Sequence, residues 1–158
     1  MNKTPEVVFD TQIFLRAIIN QKSACGRLVF DMQADYTLYS TEKINAEIMD
    51  VLTRSSIRQK FPQITDASVK LIQDALDLAN FVEIKPDDIE PICRDPKDDI
   101  FLACAKVAGA DYLVSADKDL LVLERHHDTA IVSVAAFLSV LDAHKSPPAE
   151  PPPNQPLD

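Results

Sequence analysis

Residues 94–121, RDPKDDIFLACAKVAGADYLVSADKDLL, decide the reading of the whole chain. Aspartates at 95, 98 and 99 open this stretch, those at 117 and 119 close it, and most residues between are apolar or small. Asp95 before Pro96 predicts a helix start, because a carboxylate accepts the free N–H groups of the first turn and proline's fixed φ suits the first position. The helix should run to about Val107, with Gly109 as a left-handed stop. Tyr112, Leu113 and Val114 then form a short strand that ends in Ser-Ala-Asp-Lys-Asp. One acidic group thus sits at the head of a helix and the other past the carboxyl end of a strand. Open parallel sheets bind ligands there, which points to a site built from several carboxylates.

Working outward, Glu6 to Phe9 (EVVF) reads as a buried strand that ends at Asp10. Thr11 to Asn20 places Phe14, Leu15, Ile18 and Ile19 at helical spacing. A second helix is predicted over Cys25 to Gln33 and a strand over Tyr36 to Tyr39. Ser40 or Thr41 can cap a helix with Ile44, Ile48, Val51 and Leu52 on one face. Short helical patterns cover Arg54 to Phe61 and Asp66 to Leu78. Strands follow at Phe81 to Ile84 (FVEI) and Ala130 to Val134, and a last helix reaches about His144. Strands alternating with helices imply a parallel sheet covered on both faces. The expected domain spans residues 1–145. Beyond it, six of the thirteen residues 146–158 are proline, which predicts an extended tail.

The chain has 158 residues, 46% of them hydrophobic, enough for one domain with a sizeable core. A net charge of −9 argues against a general basic surface for nucleic acid. It leaves open a site in which metal ions neutralise carboxylates. With Gly26 and Gly109 as the two glycines, glycine-rich phosphate loops are excluded. Cys25, Cys93 and Cys104 lack metal-ligand spacing and read as free thiols. No apolar run is long enough to span a bilayer, and MNKTPEVVFD has no apolar signal region, so a cytoplasmic protein is expected.

Asp10 can cap the helix after it or face a ligand. Glu47 lies at the edge of an apolar helical stripe, either reaching solvent or turned inward, where a carboxylate needs a partner. Asp98 and Asp99 are about 100° apart on a helix, so they cannot face the same point. Asp98 favours the cap, and the inward role falls to Asp99. Asp117 and Asp119 follow the fourth strand, one positioned for metal and one for the next turn, with the Ser115 hydroxyl nearby. Asp10, Glu47, Asp99 and Asp117 together make a hard-oxygen set suited to Mg²⁺ or Mn²⁺. Without a cation their mutual repulsion would raise their pKa values. His126 and His127 fall in a polar loop and read as solvated. Arg16, Arg94, Lys97 and Lys118 lie near the acidic motifs in sequence and are candidates for phosphate contacts.

VVFDTQIFLRA, INAEIMDVL, DPKDDIFLACA and YLVSADKDLL occur in this order and resemble the successive motifs of the PIN-domain nucleases, especially the bacterial VapC-like toxin components of toxin-antitoxin systems. The resemblance spans about residues 5 to 142. It implies a three-layer α/β/α fold with a central five-stranded parallel sheet of order 3-2-1-4-5. It also implies a metal-dependent endoribonuclease with Asp10, Glu47, Asp99 and Asp117 as metal-binding and catalytic residues, supported by Thr11, Asp98, Ser115 and Asp119. Gln12 stands where the family usually has asparagine, and Ser115-Ala116 replaces its common Thr-Gly. RNA as substrate, an antitoxin partner and a homodimer are further implications. The alternative is a catalytically weak PIN-like module that binds RNA or protein. A phospho-receiver or a haloacid-type phosphatase does not fit, because Asp10-Thr11-Gln12 lacks the second acid that each needs after its first strand.

Overall fold

The computed structural model describes residues 3–145, so the proline-rich segment 146–158 lies outside the described residues. Strand β1 (Glu6–Phe9) carries Val7, Val8 and Phe9, all buried. Successive strand side chains point to opposite faces, so burial of all three means that both faces of the sheet are covered. Phe9 sits in an aromatic cluster with Phe14, Tyr36 and Phe137, its ring centroid 5.9, 5.2 and 6.2 Å from theirs. Offset and edge-on contacts of this kind add to the burial energy of each ring.

Helix α1 (Thr11–Ile19) starts directly after Asp10, whose carboxylate accepts the Ile13 N–H at 3.2 Å. The helix expected over Cys25 to Gln33 is broken into pieces. Helix α2 (Ala24–Gly26) runs into a π-helical turn, Arg27–Asp31, and a 3₁₀ turn follows at Gln33–Asp35. Two contacts set this shape. The Leu28 carbonyl accepts the Tyr36 hydroxyl at 2.8 Å, and Gly26 lies so near the end of α1 that a Cβ there would stand 2.2 Å from the Gln21 carbonyl oxygen. That neighbour is backbone and cannot rotate away. Gly26→Ala is therefore expected to destabilise the fold by about 1–3 kcal/mol, lowering the midpoint of a thermal melt by several degrees; an unchanged midpoint would contradict it.

Strand β2 (Thr37–Ser40) leads to α3 (Glu42–Thr53), capped by Thr41 Oγ1, which accepts the Ile44 N–H at 3.0 Å. Helices α4 (Ser55–Lys60) and α5 (Asp66–Asp77) follow, the latter with a Thr65/Ser68 capping box. Strand β3 is shorter than expected and shifted, Asn80–Phe81. The chain leaves the sheet for the 3₁₀ turn Pro86–Asp88, where the Asp88 carboxylate accepts the Lys85 N–H at 2.9 Å. The helix expected from Asp95 is likewise two elements: a 3₁₀ turn, Pro96–Asp98, and then α6 (Asp99–Ala108), which ends at Gly109 with φ of 65°. The remaining elements are β4 (Tyr112–Val114), α7 (Lys118–Leu121), β5 (Arg125–His126), β6 (Thr129–Val132) and α8 (Val134–Lys145).

The sheet order is β3-β2-β1-β4-β6-β5. Five parallel strands take the expected 3-2-1-4-5 arrangement, with β6 in the fifth place. The sixth strand, β5, is an addition that pairs antiparallel with β6. Glu124 and His127 adopt φ of 61° and 53°, and these left-handed residues turn the chain into and out of the short edge strand. Pairing of β1 with β4 ends at Phe9 opposite Val114. Just past it, the Asp10 N–H donates to the Val114 carbonyl at 3.2 Å and the Ser115 N–H to the Val132 carbonyl at 3.0 Å. The register therefore sets Asp10 and Ser115 side by side at the carboxyl edge, beside the point where strand order reverses.

Candidate active site

Asp10 is 3% exposed. Its Oδ1 accepts the Ile13 N–H, and its Oδ2 accepts a short hydrogen bond from the Ser115 hydroxyl. The same Ser115 oxygen accepts the Asp117 N–H at 2.9 Å. Asp117 caps α7, its Oδ1 accepting the Asp119 N–H at 2.9 Å. One buried hydroxyl thus sets the positions of two acids that are distant in sequence.

A cleft of about 360 Å³ opens in front of these groups, with Asp10, Glu47, Asp95, Asp98 and Asp117 in its wall. Thr11, Gln12, Arg54 and Lys97 line it as well. Glu47 comes from α3, turned toward the cleft from the edge of the apolar stripe formed by Ile44, Ile48 and Leu52. Larger concavities, of about 540 and 710 Å³, lie elsewhere on the surface. Convergent carboxylates, rather than size, single out this one.

Asp98 and Asp99 take places opposite to those assigned by helical phase. Asp98, the last residue of the 3₁₀ turn, faces the cleft. Asp99 is buried away from the cleft lining, and its Oδ1 accepts the N–H groups of Ile92 and Cys93 at 3.2 and 2.7 Å. The 3₁₀ turn Pro96–Asp98 winds more tightly than an α-helix before α6 begins, so the 100° step of a continuous α-helix does not set the directions of Asp98 and Asp99. Asp95 anchors that turn by accepting the Lys97 N–H at 3.0 Å. Asp119 is exposed and contributes its backbone N–H to the site, while its side chain is not in the cleft wall. Arg16 lines the neighbouring 540 Å³ cavity instead of the cleft.

Burial pushes the Asp10 carboxyl up to about 6, against the pull of hydrogen bonds from Ser115, Ile13 and Ala116. Asp98 is also pushed up to about 6, by burial and then by the negative charges of Asp117, Asp95 and Asp10. Among the described residues, no lysine, arginine or histidine forms an ion pair with Asp10, Glu47, Asp98 or Asp117. Thr11 Oγ1, on the same cleft, is buried without a hydrogen-bond partner among the described residues. Uncompensated negative charge, oxygen donors and an orphaned hydroxyl fit a hard divalent cation. The acids line an open cleft and do not close into a tight cage. Such a site suits a divalent cation that keeps several of its waters and binds through a few carboxylates.

A doubly wound α/β domain with carboxylates converging at its switch point has its ligand site where open parallel sheets place one. A family profile described as PIN domain, the PIN_3 form, matches residues 6–119, and the chain belongs to the PIN domain family. Among solved structures, the crystal structure of PAE2754 from Pyrobaculum aerophilum is similar in fold at 16% identity and a TM-score of 0.59, over 89% of this chain and 99% of that one. Comparison with curated proteins gave no significant match. Among the described residues, no helix is long and apolar enough to cross a membrane.

Proposed function

We propose that this PIN domain is a metal-dependent endoribonuclease that cleaves RNA phosphodiester bonds and acts as the toxin component of a type II toxin-antitoxin pair. The observation that carries the reading is the convergence of Asp10, Glu47, Asp98 and Asp117 on one cleft, with Asp10 and Asp117 both held by Ser115. Asp10, Asp98 and Asp117 would hold Mg²⁺ or Mn²⁺, and Glu47 would ligate it or orient the attacking water. When bound, the ion supplies an activated water and offsets charge on the phosphate and leaving oxygen. Ser115 fixes the Asp10 carboxylate, and Thr11 offers an uncommitted hydroxyl beside it. Lys97 and Arg54 at the rim would hold backbone phosphates of the RNA, a local attraction suited to a chain whose net charge is −9. Asp99 acts at one remove, by fastening the 92–93 backbone next to the turn that carries Asp98.

The test is cleavage of a labelled RNA with Mg²⁺, with Mn²⁺ and with a chelator. Cleavage should need a divalent ion and stop when the cleft acids are replaced. RNA binding without cleavage under every metal condition would favour the alternative of a binding module. A toxin role predicts growth arrest on expression, relieved by the small protein encoded next to it. Light scattering would test the homodimer.

A further inference from the structure

Consecutive residues of a strand point to opposite faces, so two neighbouring histidines should diverge. Here they converge. His126 ends β5, and His127 follows with φ of 53°, a left-handed backbone that breaks the alternation and turns both rings to one side. Both Nε2 atoms stand 3.0 Å from the same atom, Oε2 of Glu90, and the ring centroids are 4.4 Å apart. The ligand atoms of Glu90, His126 and His127 lie within 4.8 Å of one another, the one group of three to do so among the described residues. None of these residues lines the acidic cleft.

We propose that Glu90, His126 and His127 form a second divalent-cation site, of zinc type. In a tetrahedral zinc site with bonds of about 2.0–2.1 Å, ligand atoms lie about 3.3 Å apart, and the two 3.0 Å spacings are close to that before any ion enters. Two imidazoles and one carboxylate favour zinc over magnesium, which prefers oxygen donors, and a fourth position is left for water. Lys106 approaches the other carboxylate oxygen, Oε1, at 3.6 Å. This ion pair bears on Oε1, which His127 Nε2 also approaches at 3.2 Å, whereas Oε2 is the atom that both imidazoles share. His126 is buried, whereas His127 and Glu90 are 47% and 35% exposed, so an ion can enter from solvent. The site joins the β5–β6 hairpin to the segment 82–98, which ends in Asp95 and Asp98 at the acidic cleft. A bound ion braces that wall from outside the cleft.

Calorimetry of Zn²⁺ with the metal-stripped full chain, in excess Mg²⁺, tests the proposal. The unaltered chain should bind one Zn²⁺. His127→Asn, which keeps a residue tolerant of the left-handed backbone, and Glu90→Gln should each weaken binding at least about tenfold. The double variant Asp10→Asn/Asp98→Asn should bind as the unaltered chain does. Cobalt substitution of the unaltered chain gives a reading that needs no variant: the intense visible absorption of four-coordinate Co²⁺ is expected. Zinc affinity untouched by His127→Asn, affinity lost with the cleft variant, or a weak six-coordinate cobalt spectrum would overturn the site.

Discussion

Asp10→Asn is expected to lower RNA cleavage by at least about 100-fold and, in the same protein stripped of metal, to raise thermal stability at pH 7. The two effects have one cause. Burial lifts the Asp10 pKa from 3.8 to about 6, so the folded chain holds this proton more tightly than the unfolded chain does. Between about pH 4 and pH 6 the folded state carries more protons, and the free energy of unfolding falls as pH rises through that window. Above it the full penalty of a buried, uncompensated anion remains, roughly 2–3 kcal/mol at 1.36 kcal/mol per unit. Asparagine removes the charge and keeps an oxygen for the Ile13 N–H. Melts in chelator should therefore put the variant several degrees above the unaltered chain at pH 7, with the gap closing near pH 4. A variant equally destabilised at both pH values would show that Asp10 is a structural cap and no more.

The second large effect separates two adjacent residues. Asp98→Asn should reduce cleavage by about 100-fold and leave the fold intact, because Asp98 faces the cleft. Asp99→Ala should do the reverse. Its carboxylate satisfies two backbone N–H groups in a partly buried loop, and leaving them unpaired costs about 2–4 kcal/mol. Urea titration gives the stability loss, and cleavage measured well below the variant's melting temperature gives residual activity. A folded, stable but inactive Asp99 variant would return to Asp99 the inward role that simple helical phase assigns it.

What the sequence made legible was whatever depends on local chemistry. The run Val7-Val8-Phe9 followed by Asp10, and Tyr112-Leu113-Val114 followed by Ser115, each identify a buried strand with a polar exit, and the alternation with helices makes the sheet parallel; its order is what the resemblance to PIN-domain nucleases implies. Gly109 ends its helix as its lack of a Cβ suggests. What escaped depends on geometry between segments. The 100° step of an α-helix separates Asp98 from Asp99 only where the helix is continuous, but a 3₁₀ turn precedes Asp99, whose carboxylate reaches back to residues 92 and 93. His126 and His127 read as solvated because their partner, Glu90, is more than thirty positions away in the chain. Arg54 joins the cleft wall only through the packing that brings the end of α3 and the exit of β1 to one cleft.

Both outer strands of the sheet, β3 and β5, are two residues long. An exposed strand edge is a ladder of unpaired N–H and C=O groups on which another chain can extend the sheet, and short edges withhold that ladder. Strand addition, whether by a second copy or by an extended peptide, therefore has little backbone to bind here. Association through side chains on the helices and loops is then the more open route, and specificity built that way is written in residue identity and open to change by single substitutions.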